Sequence, residues 1–200
     1  QGGKDDLTGA NSDASLFVKI IDSEFALNGI YADRGSVSDN DGVRIDEGGN
    51  GYADVIIRDS EFVANGADGF ELDETGRGFA GVDVDSSVFN DNGPFDLNDT
   101  DDGLDVDEAG RGRLEVSVRN SEINGNFDEG LDLDEAGKGS IFVEVVNTVA
   151  NNNGNAKLNG LATDPGGTGI KLSEEDQGDI FAEFINSQAN GNDDYGFRLE

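Results

Sequence analysis

Gly103-Leu104-Asp105-Val106-Asp107-Glu108-Ala109-Gly110-Arg111-Gly112 is followed, 27 residues later, by Gly130-Leu131-Asp132-Leu133-Asp134-Glu135-Ala136-Gly137-Lys138-Gly139. The two stretches differ only by Val for Leu and Arg for Lys. Each begins with apolar and acidic residues in strict alternation, the period of a strand, and ends in a Gly-rich turn. Working outward, the glycine that opens the stretch recurs as Gly42, Gly69, Gly103, Gly130, Gly169 and Gly196, at intervals of 27, 34, 27, 39 and 27. A second marker keeps step: Ser23, Ser60, Ser87, Ser121, Thr148 and Ser187, with a first interval of 37. A repeat of 20–50 residues is the signature of a solenoid.

Within each repeat three short apolar runs recur. The first holds Val43/Ile45, Phe70/Leu72, Leu104/Val106, Leu131/Leu133, Ile170/Leu172 and Phe197/Leu199. The second holds Val18/Ile20, Val55/Ile57, Val82/Val84, Val116/Val118, Val143/Val145 and Ala182/Phe184. The third is a single column after the Ser marker: Phe25, Phe62, Phe89, Ile123, Ala150 and Ala189. No helical period competes. The expected architecture is all-β: a parallel β-solenoid of about six coils of 27 residues, with a triangular section. Inserts of 10, 7 and 12 residues near Ile30–Asp39, Pro94–Asp101 and Asn155–Gly166 fall at one point of alternate coils. They are expected to leave one edge together. Residues 16–200 read as one solenoid domain, and 1–15 as an N-terminal segment or cap.

Two further columns read as structural. Asn28, Asn65, Asn92, Asn126, Asn153 and Asn192 stand five residues after the Ser marker. Coils stack about 4.8 Å apart, so identical amides there form a hydrogen-bonded ladder, and Asn tolerates the left-handed turns of a corner. Gly51, Gly78, Gly112, Gly139 and Gly178 mark a corner that needs positive φ or close packing.

Composition narrows the function. The net charge is −31, from 44 acidic and 13 basic residues, which repels nucleic acid and anionic membranes and favours cations as partners. Such acidity also suits a halophile, where charge serves solvation. No apolar run approaches a membrane span, so membrane insertion is not expected. There is no Cys and no Met; the expectation is a secreted chain whose leader was removed, acting outside the cell or at its surface.

The acidic residues fall into columns. Asp46, Asp73, Asp107 and Asp134 form one, and Glu47, Glu74, Glu108, Glu135 and Glu174 form the next. Like charges at strand spacing repel unless neutralised. Arg77, Arg111 and Lys138, three residues beyond the Glu, are expected to pair with it across the turn; calcium, which takes several oxygen ligands in flexible geometry, is the other neutraliser. Asp105 and Asp132 add carboxylates in mid-strand, so Asp105, Asp107, Asp132 and Asp134 are the candidate metal ligands. The carboxylate-dense loop Asp96–Asp102 is a second candidate region.

The pattern from Leu16 to Glu200 resembles the right-handed parallel β-helix superfamily, which includes pectate lyases, polygalacturonases, alginate epimerases and carbohydrate-binding surface proteins. The resemblance implies the architecture more strongly than an activity, since one fold hosts many functions. Lyases of this fold pair calcium-binding acidic strands with an Arg or Lys base, a role open to Arg44, Lys171 or Arg198. Against catalysis, there is no His or Trp and only three Tyr, and Asp194-Tyr195-Gly196-Phe197 lacks the Pro-His continuation of the epimerase signature. No catalytic residue is assigned.

The expected role is an extracellular structural or surface solenoid, stabilised by calcium. Tyr195-Gly196-Phe197-Arg198-Leu199-Glu200 repeats a first strand, whereas Asp5–Ala10 matches one poorly. Stacking one copy's last strand on the next copy's first coil is a heterologous contact and builds open filaments. The alternatives are a calcium-dependent carbohydrate-binding or adhesive module, with the inserts as its variable surface and Asn98-Asp99-Thr100 as a glycosylation sequon, and a lyase- or epimerase-like enzyme acting on a polysaccharide.

Overall fold

The computed structural model describes residues 13–30, 40–93, 101–154 and 167–200. Every regular element among them is a strand. A first sheet holds β3 (Val43–Glu47), β6 (Phe70–Glu74), β9 (Leu104–Glu108), β12 (Leu131–Glu135), β14 (Ile170–Glu174) and β16 (Phe197–Leu199). A second holds β1 (Leu16–Ile21), β4 (Ala53–Arg58), β7 (Ala80–Asp85), β10 (Leu114–Arg119), β13 (Ile141–Val146) and β15 (Ile180–Ile185). A third, of three-residue strands, holds β2 (Glu24–Ala26), β5 (Glu61–Val63), β8 (Val88–Asn90) and β11 (Glu122–Asn124), continued by bridges at Val149 and Gln188. All pairings are parallel, and each strand pairs with its counterparts one repeat away. This is a β-solenoid with three faces.

Register follows the apolar columns. Val43, Phe70, Leu104, Leu131, Ile170 and Phe197 are successive partners in the first sheet. In the second, Val18, Val55, Val82, Val116, Val143 and Ala182 are. Their side chains meet inside: Leu72, Leu104, Leu133, Val55, Val84 and Val118 are wholly buried. The third sheet contributes an aromatic stack, with Phe62 parallel to Phe25 at 5.1 Å and to Phe89 at 4.7 Å between ring centroids. A one-residue slip would turn every one of these columns outward, so the register is strongly specified.

The Asn column forms a continuous buried ladder. The Asn65 Nδ2 donates to Asn92 Oδ1 at 3.0 Å, Asn92 to Asn126 at 3.0 Å, and Asn126 to Asn153 at 3.1 Å. Each Nδ2 also donates to a carbonyl of the preceding coil, as Asn92 does to Phe62 O at 3.1 Å. Each Oδ1 accepts a backbone N–H as well, Asn126 Oδ1 from Asn92 N at 3.1 Å. The amides are therefore fully satisfied without water. They also explain the glycine marker, since a Cβ on Gly69 would lie 2.7 Å from Asn92 Nδ2 and one on Gly103 2.5 Å from Asn126 Nδ2.

Backbone conformation corrects one expectation. The left-handed residue is not the ladder Asn but the one before it: Leu27, Ala64, Asp91, Gly125, Asn152 and Gly191, with φ from 56° to 72°. A second left-handed column, Asp22, Asp59, Ser86, Asn120, Asn147 and Asn186, precedes the Ser marker. The Ser hydroxyl then donates back two residues (Ser60 Oγ to Arg58 O, 2.7 Å) and accepts the N–H of the preceding coil's marker. At the Gly51–Gly178 corner φ is not positive. There a Cβ on Gly78 would collide with the carbonyl of Gly51, so close packing is the reason.

The positions read as inserts lie outside the described residues except at their margins, as do the Asn98–Thr100 sequon, Asp5–Ala10 and most of the segment 1–15.

Candidate metal centre

The first sheet carries the acidic face. Its strands alternate Leu or Val into the core with Asp or Glu outward, because a residue every second place must face away from the core. Register brings Asp105 beside Asp132 and Asp107 beside Asp134, so the four sequence-selected carboxylates form one block across β9 and β12. The blocks with carboxylate oxygens mutually within 4.8 Å, among the described residues, are composed differently. One is Asp41, Asp68 and Glu71; the other is Asp102, Glu129 and Asp132. Only Asp132 is shared with the sequence-selected set.

Asp102 and Glu129 precede the marker glycines; Asp102 ends the carboxylate-dense loop read as a second candidate region, whereas Glu129 was legible only as a turn residue. The signal that points to them is the column itself, Asp41, Asp68, Asp102 and Glu129, acidic in four successive coils. Part of its role is structural. Asp41 Oδ1 accepts Asp68 N–H at 3.2 Å, Asp68 accepts from Asp102 N–H, and Asp102 Oδ1 accepts from Glu129 N–H at 2.6 Å.

Burial makes the face costly to ionise. It pushes the Asp102 and Asp105 carboxyls far above their ordinary range, with neighbouring carboxylates adding to the shift. Burial raises Glu129 to about 9, assisted by Asp128, and Asp132 to about 7, assisted by Asp134 and opposed by Lys171. Two cations sit at the margins. Arg44 bonds Glu71 at 2.5 Å, Asp73 at 2.7 Å and Asp46 at 3.0 Å. Lys171 bonds Asp132 Oδ2 at 2.7 Å and approaches Asp134 at 3.7 Å. Burial works against the Lys171 ammonium, but these carboxylates outweigh it and hold its pKa above the usual value.

The Glu column behaves differently from the expectation. The register Glu47–Glu74–Glu108–Glu135–Glu174 is as read. However, Glu74, Glu108 and Glu135 are wholly buried, while Arg77, Arg111 and Lys138 are exposed and form no ion pair with them among the described residues. The Glu side chain folds back under its own turn. Glu108 Oε1 accepts the Gly112 N–H at 3.0 Å and Glu135 Oε1 the Gly139 N–H at 2.9 Å. The opposite oxygens, Glu108 Oε2 and Glu135 Oε2, are buried without a donor. Burial raises Glu108 to about 7, with Glu74 adding to the shift.

The residues considered as a catalytic base are all engaged: Arg44 and Lys171 as above, and Arg198 with Glu200 at 2.7 Å. The second sheet's outer face bears a groove of about 400 Å³ beside Phe79, Asp83 and Arg113. Phe79 has no free ring face there, since Tyr52 stacks on it at 5.0 Å and the Arg113 guanidinium lies 5.3 Å from its centroid.

With three parallel sheets, stacked register and the Asn ladder in place, comparison with known proteins decides the family. The family model described as "Right handed beta helix region" matches residues 9–200. The chain belongs to this right-handed β-helix family. No curated protein and no solved structure matches it. Membership in the β-helix family accounts for the architecture; the acidic face is a feature of this chain's own residues.

Proposed function

We propose that this β-helix is a non-catalytic extracellular structural or surface protein, that it assembles head-to-tail by coil-on-coil contact, and that calcium on its acidic face stabilises it. The observation that carries the reading is the pair of open strand edges. Among the described residues β15 pairs only with β13, β16 only with β14, and β1 only with β4. At one edge the core-facing Phe197 and Leu199 are 40 % and 55 % exposed, and at the other the core-facing Leu16 is 36 % exposed. A coil supplied by a second copy extends the backbone ladders and covers these side chains, at roughly 25 cal/mol for each Å² of apolar surface. The charge of −31 opposes that contact, and a divalent counterion relieves the repulsion, which suits a calcium-containing extracellular medium. The engaged state of Arg44, Lys171 and Arg198, and the covered faces of Phe79, support a non-catalytic role.

Sedimentation velocity of the intact chain and of one lacking Tyr195–Glu200 tests this. The intact chain is expected to form concentration-dependent oligomers in calcium, and the shortened chain to remain a folded monomer. Equal behaviour of the two, whether both monomeric or both assembled, would overturn head-to-tail assembly.

A further inference from the structure

Two acidic clusters of the same design lie on the first sheet, and the difference between them points to a ligand. Each combines the residue before a marker glycine, its counterpart one coil on, and the strand residue three places after that counterpart. The first is Asp41, Asp68 and Glu71; the second is Asp102, Glu129 and Asp132. The strand residue three places after Asp41 is Arg44, whose guanidinium bonds Glu71 at 2.5 Å and lies 3.8 Å from Asp41. The first cluster therefore contains its own cation. The equivalent place in the second cluster, three residues after Asp102, is held by Asp105. A fourth carboxylate stands where the sister cluster has a positive charge.

Asp102, Glu129 and Asp132 are 6 %, 7 % and 9 % exposed. Neither Asp102 nor Glu129 forms an ion pair among the described residues. Lys171, on the following coil, takes Asp132 Oδ2 and leaves Oδ1 buried with no donor. A buried carboxylate oxygen without a donor is destabilising, and Lys171, the cation bonded to this cluster among the described residues, supplies a single charge against three carboxylates within 4.8 Å of each other.

We infer that Asp102, Glu129 and Asp132, with Asp105 beside them, bind a calcium ion that takes the place Arg44 fills in the sister cluster. This rests on the calcium stabilisation proposed above and locates it. The donors are all hard carboxylate oxygens, and the chain has no His or Cys to offer a softer metal. Calcium accepts such irregular oxygen sets at about 2.3–2.6 Å and tolerates the spacing of a sheet, whereas magnesium demands a near-ideal octahedron.

The test is calorimetric titration of the full chain with calcium chloride at constant ionic strength, alongside thermal melting. One saturable site is expected, weakened at least tenfold by Asp102→Asn and by Glu129→Gln, and unaffected by Glu71→Gln in the sister cluster. Magnesium is expected to bind at least tenfold more weakly. The decisive variant is Asp105→Arg, which installs the sister cluster's own cation: it should melt no lower than the parent without calcium and lose the calcium heat. The inference is overturned if the intact chain shows no saturable binding up to millimolar calcium, or if Asp105→Arg and Asp102→Asn both bind as the parent does. Magnesium binding as tightly as calcium would overturn the assignment of the ion. Saturable binding in a chain that never oligomerises would sink head-to-tail assembly and leave this site standing.

Discussion

Asn92 shows how one residue type fixes a corner of this molecule. Its side-chain amide makes four hydrogen bonds, accepting from Asn65 N and Nδ2 and donating to Phe62 O and Asn126 Oδ1, and occupies the space that Gly69 vacates. Asn92→Leu leaves buried donors and acceptors of Asn65 and Asn126 unmet, so a loss of about 1–3 kcal/mol is expected in denaturant unfolding; an unchanged midpoint would show the ladder to be dispensable. The Glu column makes a second prediction at this scale. Burial raises Glu108 and Glu174 from an ordinary 4.5 to about 7. Between those values the folded chain holds protons that the unfolded chain releases, so stability is expected to fall as pH rises from about 4.5 to 7. Melting at matched ionic strength without divalent ions should show this, and Glu108→Gln should flatten the slope and raise the melting temperature near pH 7.5. The ladder Asn was legible because its column is invariant along the chain. The inward side of the Glu was present in its parity, two places after Val106 or Leu133, but its partners were not legible: the Gly112 and Gly139 N–H groups draw it under the turn.

Elements as short as β5 and β8 hold three residues each, too few to persist by local propensity, and depend on what they bury. In the third sheet that is the Phe25–Phe62–Phe89 stack, with Phe70 meeting Phe62 edge-on at 6.1 Å. Phe62→Ala removes the middle ring and leaves a cavity between coils that cannot collapse along the axis. A loss of about 3–5 kcal/mol is expected from equilibrium unfolding, and a loss below 1 kcal/mol would mean that the coils close up. Strand positions and register were legible because period-2 alternation repeats in every coil. The left-handed column Asp22–Asn186, mostly Asp and Asn, carries residue types that tolerate positive φ, whereas the column Leu27–Gly191 was not legible, because Leu27 and Ala64 are not residues that announce it. The stacked neighbours above and below hold them there, and Ala64→Gly is expected to be neutral or stabilising by up to about 1 kcal/mol in the same measurement.

At the scale of the whole molecule, the proposed assembly sets two terms against each other: edge strands that a second copy would extend, and a net charge of −31 that resists the contact. The sequence repeat made the solenoid readable, since each coil repeats the same inward columns. It made the acidic face readable as a surface but not the grouping within it, because the triad Asp102–Glu129–Asp132 joins two coils and a turn that lie 27 residues apart. In the proposed account calcium links the two terms, neutralising the face while leaving the edges free to stack. Negative-stain microscopy of the purified chain in millimolar calcium, against sodium chloride of equal ionic strength, tests that link most directly. Rods that lengthen with calcium and shorten on chelation are the expected result. Single short particles in both conditions would contradict it.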